Sequence, residues 1–140
     1  MAAGGTQLIE SEGRAPGDGG IPPRTPTVLV VDDDPDILRL LSEAIRDQGY
    51  NVEEAQDGRA AIAIMEAKRP ELVLLDLMMP GMNGWEVLDT LEASPRLSRI
   101  PVFIVTAAAN VGGLRQGYPV FVKPLRIERM LRTIRAFLSP

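Results

Sequence analysis

Carboxylates, a hydroxyl and an amine stand where four short apolar runs stop. Val28-Leu29-Val30-Val31 ends on Asp32, Asp33 and Asp34, and Leu72-Val73-Leu74-Leu75 ends on Asp76. Val102 to Val105 ends on Thr106, and Val120 to Val122 ends on Lys123. Runs of this kind are what strands covered on both faces of a parallel sheet look like. In an open α/β sheet the carboxyl ends of the strands line the crevice where ligands bind. Carboxylates crowded there raise one another's pKa unless a cation intervenes. With oxygen donors only, a hard divalent ion such as Mg²⁺ is the natural occupant. An ionised Asp76 beside that ion is a nucleophile able to attack phosphorus and form an aspartyl phosphate. The developing charge would be met by the metal, the Lys123 ammonium and the Thr106 hydroxyl. Taken singly, each residue reads as a surface group at a strand end, and Asp76 as the start of a turn. Found together at four strand ends, they read as a site.

Elements that could hold such a site follow in order. Asp34 stands as a helix N-cap with Pro35 at the first helical position, where its missing N–H costs nothing. Ile37, Leu41, Ala44, Ile45 and Gln48 keep helical spacing up to Gly49. Asn51 to Ala55 reads as a strand, and Asp57-Gly58 opens a helix in which Ala61, Ile62, Met65 and Ala67 cover the sheet before Pro70. After Asp76, Pro80-Gly81 and Asn83-Gly84 turn the chain away. A helix from Asn83 carries Trp85, Val87, Leu88 and Leu91 until Ser94-Pro95. The last helix, from Ile127, places Ile127, Met130, Leu131, Ile134, Phe137 and Leu138 on one arc, opposite Arg126, Arg129, Arg132 and Arg135. The arginine arc reads as a solvated face, with docking to an acidic partner as the sharper alternative.

Strands alternating with helices predict an α/β fold, a doubly wound five-stranded parallel sheet in the order 2-1-3-4-5. That order makes the strands ending at Asp33 and Asp76 neighbours across the point where the winding reverses. Strands lie about 4.8 Å apart, so Thr106 is one strand from Asp76 and Lys123 two, a gap an extended lysine can bridge.

Composition narrows the chemistry further. The chain has 140 residues, 45% of them apolar, enough for one domain with a core. It has no Cys and no His, which excludes disulfides, thiolate sites and imidazole chemistry on this chain. Nineteen acidic against fifteen basic residues argue against charge-driven nucleic-acid binding. No apolar run is long enough to span a bilayer and no signal-peptide pattern opens the chain, so a cytoplasmic protein without membrane contact is expected. Residues 1–26 hold six Gly, four Pro and no aromatic residue, which predicts a disordered arm ahead of a domain at 27–140.

The ordered set Val31-Asp32-Asp33, Asp76 with Met79-Pro80-Gly81-Met82-Asn83-Gly84, Val105-Thr106-Ala107 and Val122-Lys123-Pro124 resembles the receiver domain of two-component response regulators, from about Thr27 to Leu138. The resemblance implies a flavodoxin-like fold and a stand-alone phosphoacceptor, not a conventional enzyme, that assists its own phosphorylation and dephosphorylation. Asp76 would take a phosphoryl group from a sensor histidine kinase or a histidine phosphotransfer protein. Asp33, Asp76 and the Met78 backbone carbonyl would bind Mg²⁺, with Asp32 acting through water. Thr106 and Lys123 would hold the phosphoryl group, and the Lys123-Pro124 bond would be cis. Output would pass to an unknown downstream protein from a monomer or weak dimer. No output domain follows Pro140, so no nucleic-acid partner is expected.

Some positions depart from the family pattern. Where receivers usually carry an aromatic residue three positions before the lysine, this chain has Val120, and Phe121 would point to the opposite face of its strand. Only sixteen residues separate Thr106 from Lys123, and they include Gly112, Gly113 and Gly117, so the usual fourth helix should be shortened or missing and 108–117 mobile. Met78 and Ala108, at positions that tune phosphoryl lifetime, cannot hold an attacking water, which predicts slow self-dephosphorylation. An alternative is a phosphorylation-independent adaptor, a pseudo-receiver acting through the fourth-helix region and the arm. An EF-hand is excluded by Pro35 and by the lack of the loop glycine, Ile37 standing in its place, and a haloacid-dehalogenase type phosphatase would want an Asp where Met78 stands.

Overall fold

The protein is described by a computed structural model covering residues 24–107 and 117–139. Its strands are β1 (Thr27–Val31), β2 (Asn51–Ala55), β3 (Leu72–Leu75), β4 (Val102–Thr106) and β5 (Val120–Val122). The helices among the described residues are α1 (Pro35–Asp47), α2 (Gly58–Lys68), α3 (Gly84–Ala93) and α4 (Ile127–Leu138). The five strands form one parallel sheet in the order β2-β1-β3-β4-β5, the predicted doubly wound arrangement. The expected shortening of a helix between β4 and β5, and the mobility assigned to that stretch, fall on 108–116, outside the described residues. The same holds for residues 1–23 of the N-terminal arm.

Alternation along the strands splits the core in two, because successive side chains leave a strand on opposite faces. Leu29, Val31, Val73, Leu75 and Ile104 face α2 and α3, where Ala61, Met65, Val87, Leu88 and Leu91 meet them. Val28, Val30, Leu72, Leu74, Phe103 and Val105 face α1 and α4, against Leu38, Leu41, Ile45, Met130 and Ile134. These runs show no polar alternation because both faces are covered.

The helix starts follow their capping residues. The Asp34 side chain accepts from the Asp36 N–H at 2.9 Å, and Asp57 Oδ1 accepts from the Ala60 N–H at 2.8 Å. Asn83 and Glu86 form a reciprocal capping box with both bonds at 3.0 Å. Helix faces were less legible. The buried arc of α1 is Leu38, Leu41, Ser42 and Ile45, while Ile37 and Ala44 are half-buried and Gln48 is exposed. In α2, Ala67 points to solvent, and in α4 Phe137 lies 48% exposed at the end of the apolar arc.

Candidate functional site

The hydrogen-bond ladder continues past the strands and fixes the acids. The Asp32 N–H donates to the Ala55 carbonyl at 3.1 Å, and the Asp76 N–H to the Val31 carbonyl at 3.0 Å. Side chains then fold back onto the next loop. Asp32 Oδ1 accepts from the Asp34 N–H at 2.9 Å, and Asp76 Oδ1 from the Met78 N–H at 3.1 Å. Each acid therefore keeps its second oxygen, Oδ2, turned toward the crevice. The bond from the Lys123 N–H to the Thr106 carbonyl, at 2.8 Å, ties β5 to β4 at the same level.

Across this edge Lys123 Nζ lies 2.7 Å from Asp32 Oδ2 and 3.5 Å from Asp76 Oδ2. The two-strand reach read from the sequence is thus spanned, and the closer partner is Asp32. Asp32, Asp76 and Thr106 are buried, whereas Asp33 and Met78 are exposed. Burial pushes the Asp76 carboxyl above its ordinary value, with the Asp32 charge adding to it, against the Met78 N–H and Lys123. The Lys123 amine is also raised: burial pulls it down, but the hydrogen bond and charge of Asp32, followed by Asp76, outweigh that.

One carboxylate oxygen from each of Asp32, Asp33 and Asp76 lies within 4.8 Å of the others. Three hard oxygen donors at the mouth of a crevice suit a divalent ion such as Mg²⁺, which takes one or two carboxylates and keeps water elsewhere. Val120 packs toward α2 and α3, while Phe121 lies on the other face, its ring centroid 5.6 Å from that of Phe103. The Lys123-Pro124 bond is cis. Ala108 is outside the described residues.

Two glycines matter that sequence reasoning treated only as turn or cap signals. A Cβ on Gly84 would lie 2.5 Å from the Asp76 carbonyl oxygen and 2.6 Å from Leu77 Cα. One on Gly58 would lie 2.6 Å from the Met82 carbonyl oxygen. The loop leaving Asp76 is thus pressed between the first turns of α2 and α3, and Gly84 donates its N–H to the Leu77 carbonyl at 3.1 Å. A dipeptide such as Asn83-Gly84 signals a turn or a cap equally well, and only the packing distinguishes them.

Comparison with known proteins gives the same picture from another side. The family model for the response regulator receiver domain matches residues 28–135. The probable transcriptional regulatory protein TcrX of Mycobacterium tuberculosis is 41% identical over 118 residues, covering 80% of this chain and 49% of that protein. The chain spans about half the length of several of the curated relatives it matches. Protein PilH of Pseudomonas aeruginosa is 35% identical over 117 residues, 80% of this chain and 97% of its own length. Among solved structures, the chemotaxis protein CheY4 of Vibrio cholerae superposes with a TM-score of 0.74 at 29% identity, covering 82% of this chain and all (100%) of that one. Since the matched span takes in all of the sheet but its first residue, Thr27, and the whole acid edge, the chain belongs to the response regulator receiver family, whose domains carry signals in bacterial two-component systems.

Proposed function

We propose that this domain accepts a phosphoryl group on Asp76 from the phosphohistidine of a sensor kinase or a histidine phosphotransfer protein, in a Mg²⁺-dependent reaction that switches its protein contacts. The observation that carries this reading is the convergence of the Asp32, Asp33 and Asp76 oxygens with the Lys123 ammonium at one edge of the sheet. Asp76 Oδ1 is held by the Met78 N–H, so Oδ2 is the oxygen placed to attack phosphorus. The new P–O bond forms as the P–N bond to the donor imidazole breaks, and the departing histidine takes up a proton from solvent. Asp33, Asp76 and the Met78 carbonyl would hold the ion, with Asp32 acting through water. A bound Mg²⁺ would offset the charge that gathers on the phosphoryl oxygens. The Lys123 ammonium would pair with one of those oxygens and the Thr106 hydroxyl would donate to another. Added charge at this edge then favours whichever packing of β4, β5 and their loops meets it best.

Met78 and Ala108 offer no polar group to position an attacking water, which supports slow hydrolysis of the product. No helix among the described residues is long and apolar enough to cross a membrane, and a cytoplasmic site of action belongs to the same reading. A constitutive adaptor is disfavoured by the intact set of acids, Thr106 and Lys123, which such a role would not require.

Intact mass after incubation with Mg²⁺ and acetyl phosphate tests the proposal. The wild type is expected to gain one phosphoryl group that Asp76→Asn and metal-free protein do not. An adduct retained in Asp76→Asn would move the acceptor elsewhere, and an absence of adduct and of Mg²⁺ binding alike would reject the reading.

A further inference from the structure

At the end of the sheet opposite Asp76, a groove of about 580 Å³ opens between the starts of β4 and β5 and the last turns of α4. Its floor is apolar: Ile100, Phe103, Tyr118, Pro119 and Phe137 line it. Phe137 stacks edge-on over Phe103, ring centroids 5.3 Å apart, yet remains 48% exposed. An aromatic side chain half in contact and half in water marks an apolar surface left open on one side. Among the described residues lining the groove none is acidic, and Arg99 supplies a positive charge at its rim.

Residues 1–23 lie ahead of the described fold, and this segment has one adjacent pair of large apolar residues, Leu8-Ile9. The acids Glu10 and Glu12 follow directly. We infer that the Leu8-Ile9 pair of the chain's own N-terminal arm docks in this groove, with Glu10 and Glu12 against Arg99.

The reach fits. The chain enters the sheet at Pro26 and Thr27, whose carbonyls accept from the Asn51 and Glu71 N–H groups. Along the same edge the Pro101 and Pro119 carbonyls accept from the Val73 and Ile104 N–H groups. The groove mouth is therefore two to three strands away, about 10–14 Å at normal strand spacing. Residues 10–23 contain four Gly and three Pro, and a flexible linker of that length has a root-mean-square span of about 20 Å. A short linker whose natural span exceeds the gap by less than about twofold still holds its end at an effective concentration in the millimolar range. A contact with a Kd of about 1 mM is then occupied about half the time, so two aliphatic side chains and one charge pair suffice. Because the groove lies at the far edge, docking there leaves the Asp76 crevice open.

The chain has no Cys, so a nitroxide placed through Ala3→Cys is unique, and all 140 residues can be kept throughout. The amide signals of Ile100, Tyr118, Thr133 and Phe137 are expected to lose intensity about twofold or more in the labelled chain. Leu8→Asp with Ile9→Asp in that same chain is expected to restore them, and Arg99→Glu to restore them in part. Loss confined to residues near Arg24 and Asn51, or spread evenly over the surface, would overturn the inference. So would loss seen only when labelled and unlabelled copies are mixed, since the occupant would then be a second copy.

Discussion

The Lys123 ammonium sits nearer Asp32 than Asp76, 2.7 against 3.5 Å, and that difference divides the labour of two buried acids. Asp32 takes the shorter ion pair with the lysine, whereas Asp76 keeps an oxygen less fully paired and a carboxyl that holds its proton more tightly than usual. In metal-free protein the ionised Asp76 therefore costs stability. The cost begins as pH rises past the ordinary carboxyl value of 3.8 and is complete above the raised folded value. At neutral pH without metal, Asp76→Asn is expected to melt about 4 °C above wild type, the shift produced by ~1 kcal/mol in a domain of this size. Calorimetry in a chelator across the acid range checks this, since the advantage should vanish once wild-type Asp76 is protonated. Lys123 behaves in the other direction. Its stabilisation is fully present below its ordinary value of 10.5 and is lost as pH rises through the raised folded value. Lys123→Met is expected to be less stable at neutral pH and to lack that alkaline loss in an unfolding titration. Which acid the lysine chooses could not be read from the sequence, because both lie within its reach and the choice is made by loop geometry.

At the level of the elements, the loop after β3 is positioned by what is missing from it. A methyl group on Gly84 would collide with the backbone of Asp76 and Leu77, which cannot move without carrying the acid with it. Gly84→Ala is expected to cost about 1–3 kcal/mol in a urea titration. It should also lower the yield of phosphorylated protein, whereas breaking the capping box through Asn83→Ala should cost about 1 kcal/mol. Helix α1 holds a change of the opposite sign. Ser42 is buried and its Oγ has no hydrogen-bond partner among the described residues, so Ser42→Ala is expected to be neutral or stabilising by about 1 kcal/mol in the same titration. Caps were legible from Asp34, Asp57 and Asn83 because their chemistry is local. The arc of α1 was not, because a serine among aliphatic residues looks like the solvent side until the packing is seen.

Across the whole molecule, the strand order was legible because two rules meet: fully apolar runs demand cover on both faces, and right-handed crossovers leave few windings. The strand ends with acid, hydroxyl and amine then fell into one crevice with no further information. Sequence was silent where contacts between distant elements decide, as for Phe137, whose helical spacing places it in the core but which rests against Phe103 at the end of the sheet and stays half exposed. The sheet itself keeps two sets of side chains apart, with Ile45 in one and Val87 in the other. Ile45→Val and Val87→Ala should accordingly add to within about 0.5 kcal/mol when combined, as denaturant midpoints of the single and double variants would show. For a lineage accumulating substitutions, that separation means two nearly unlinked records in one short chain. The face under α2 and α3 can be rewritten while the other conserves the fold, and a library randomised on one face can be selected without reopening the other.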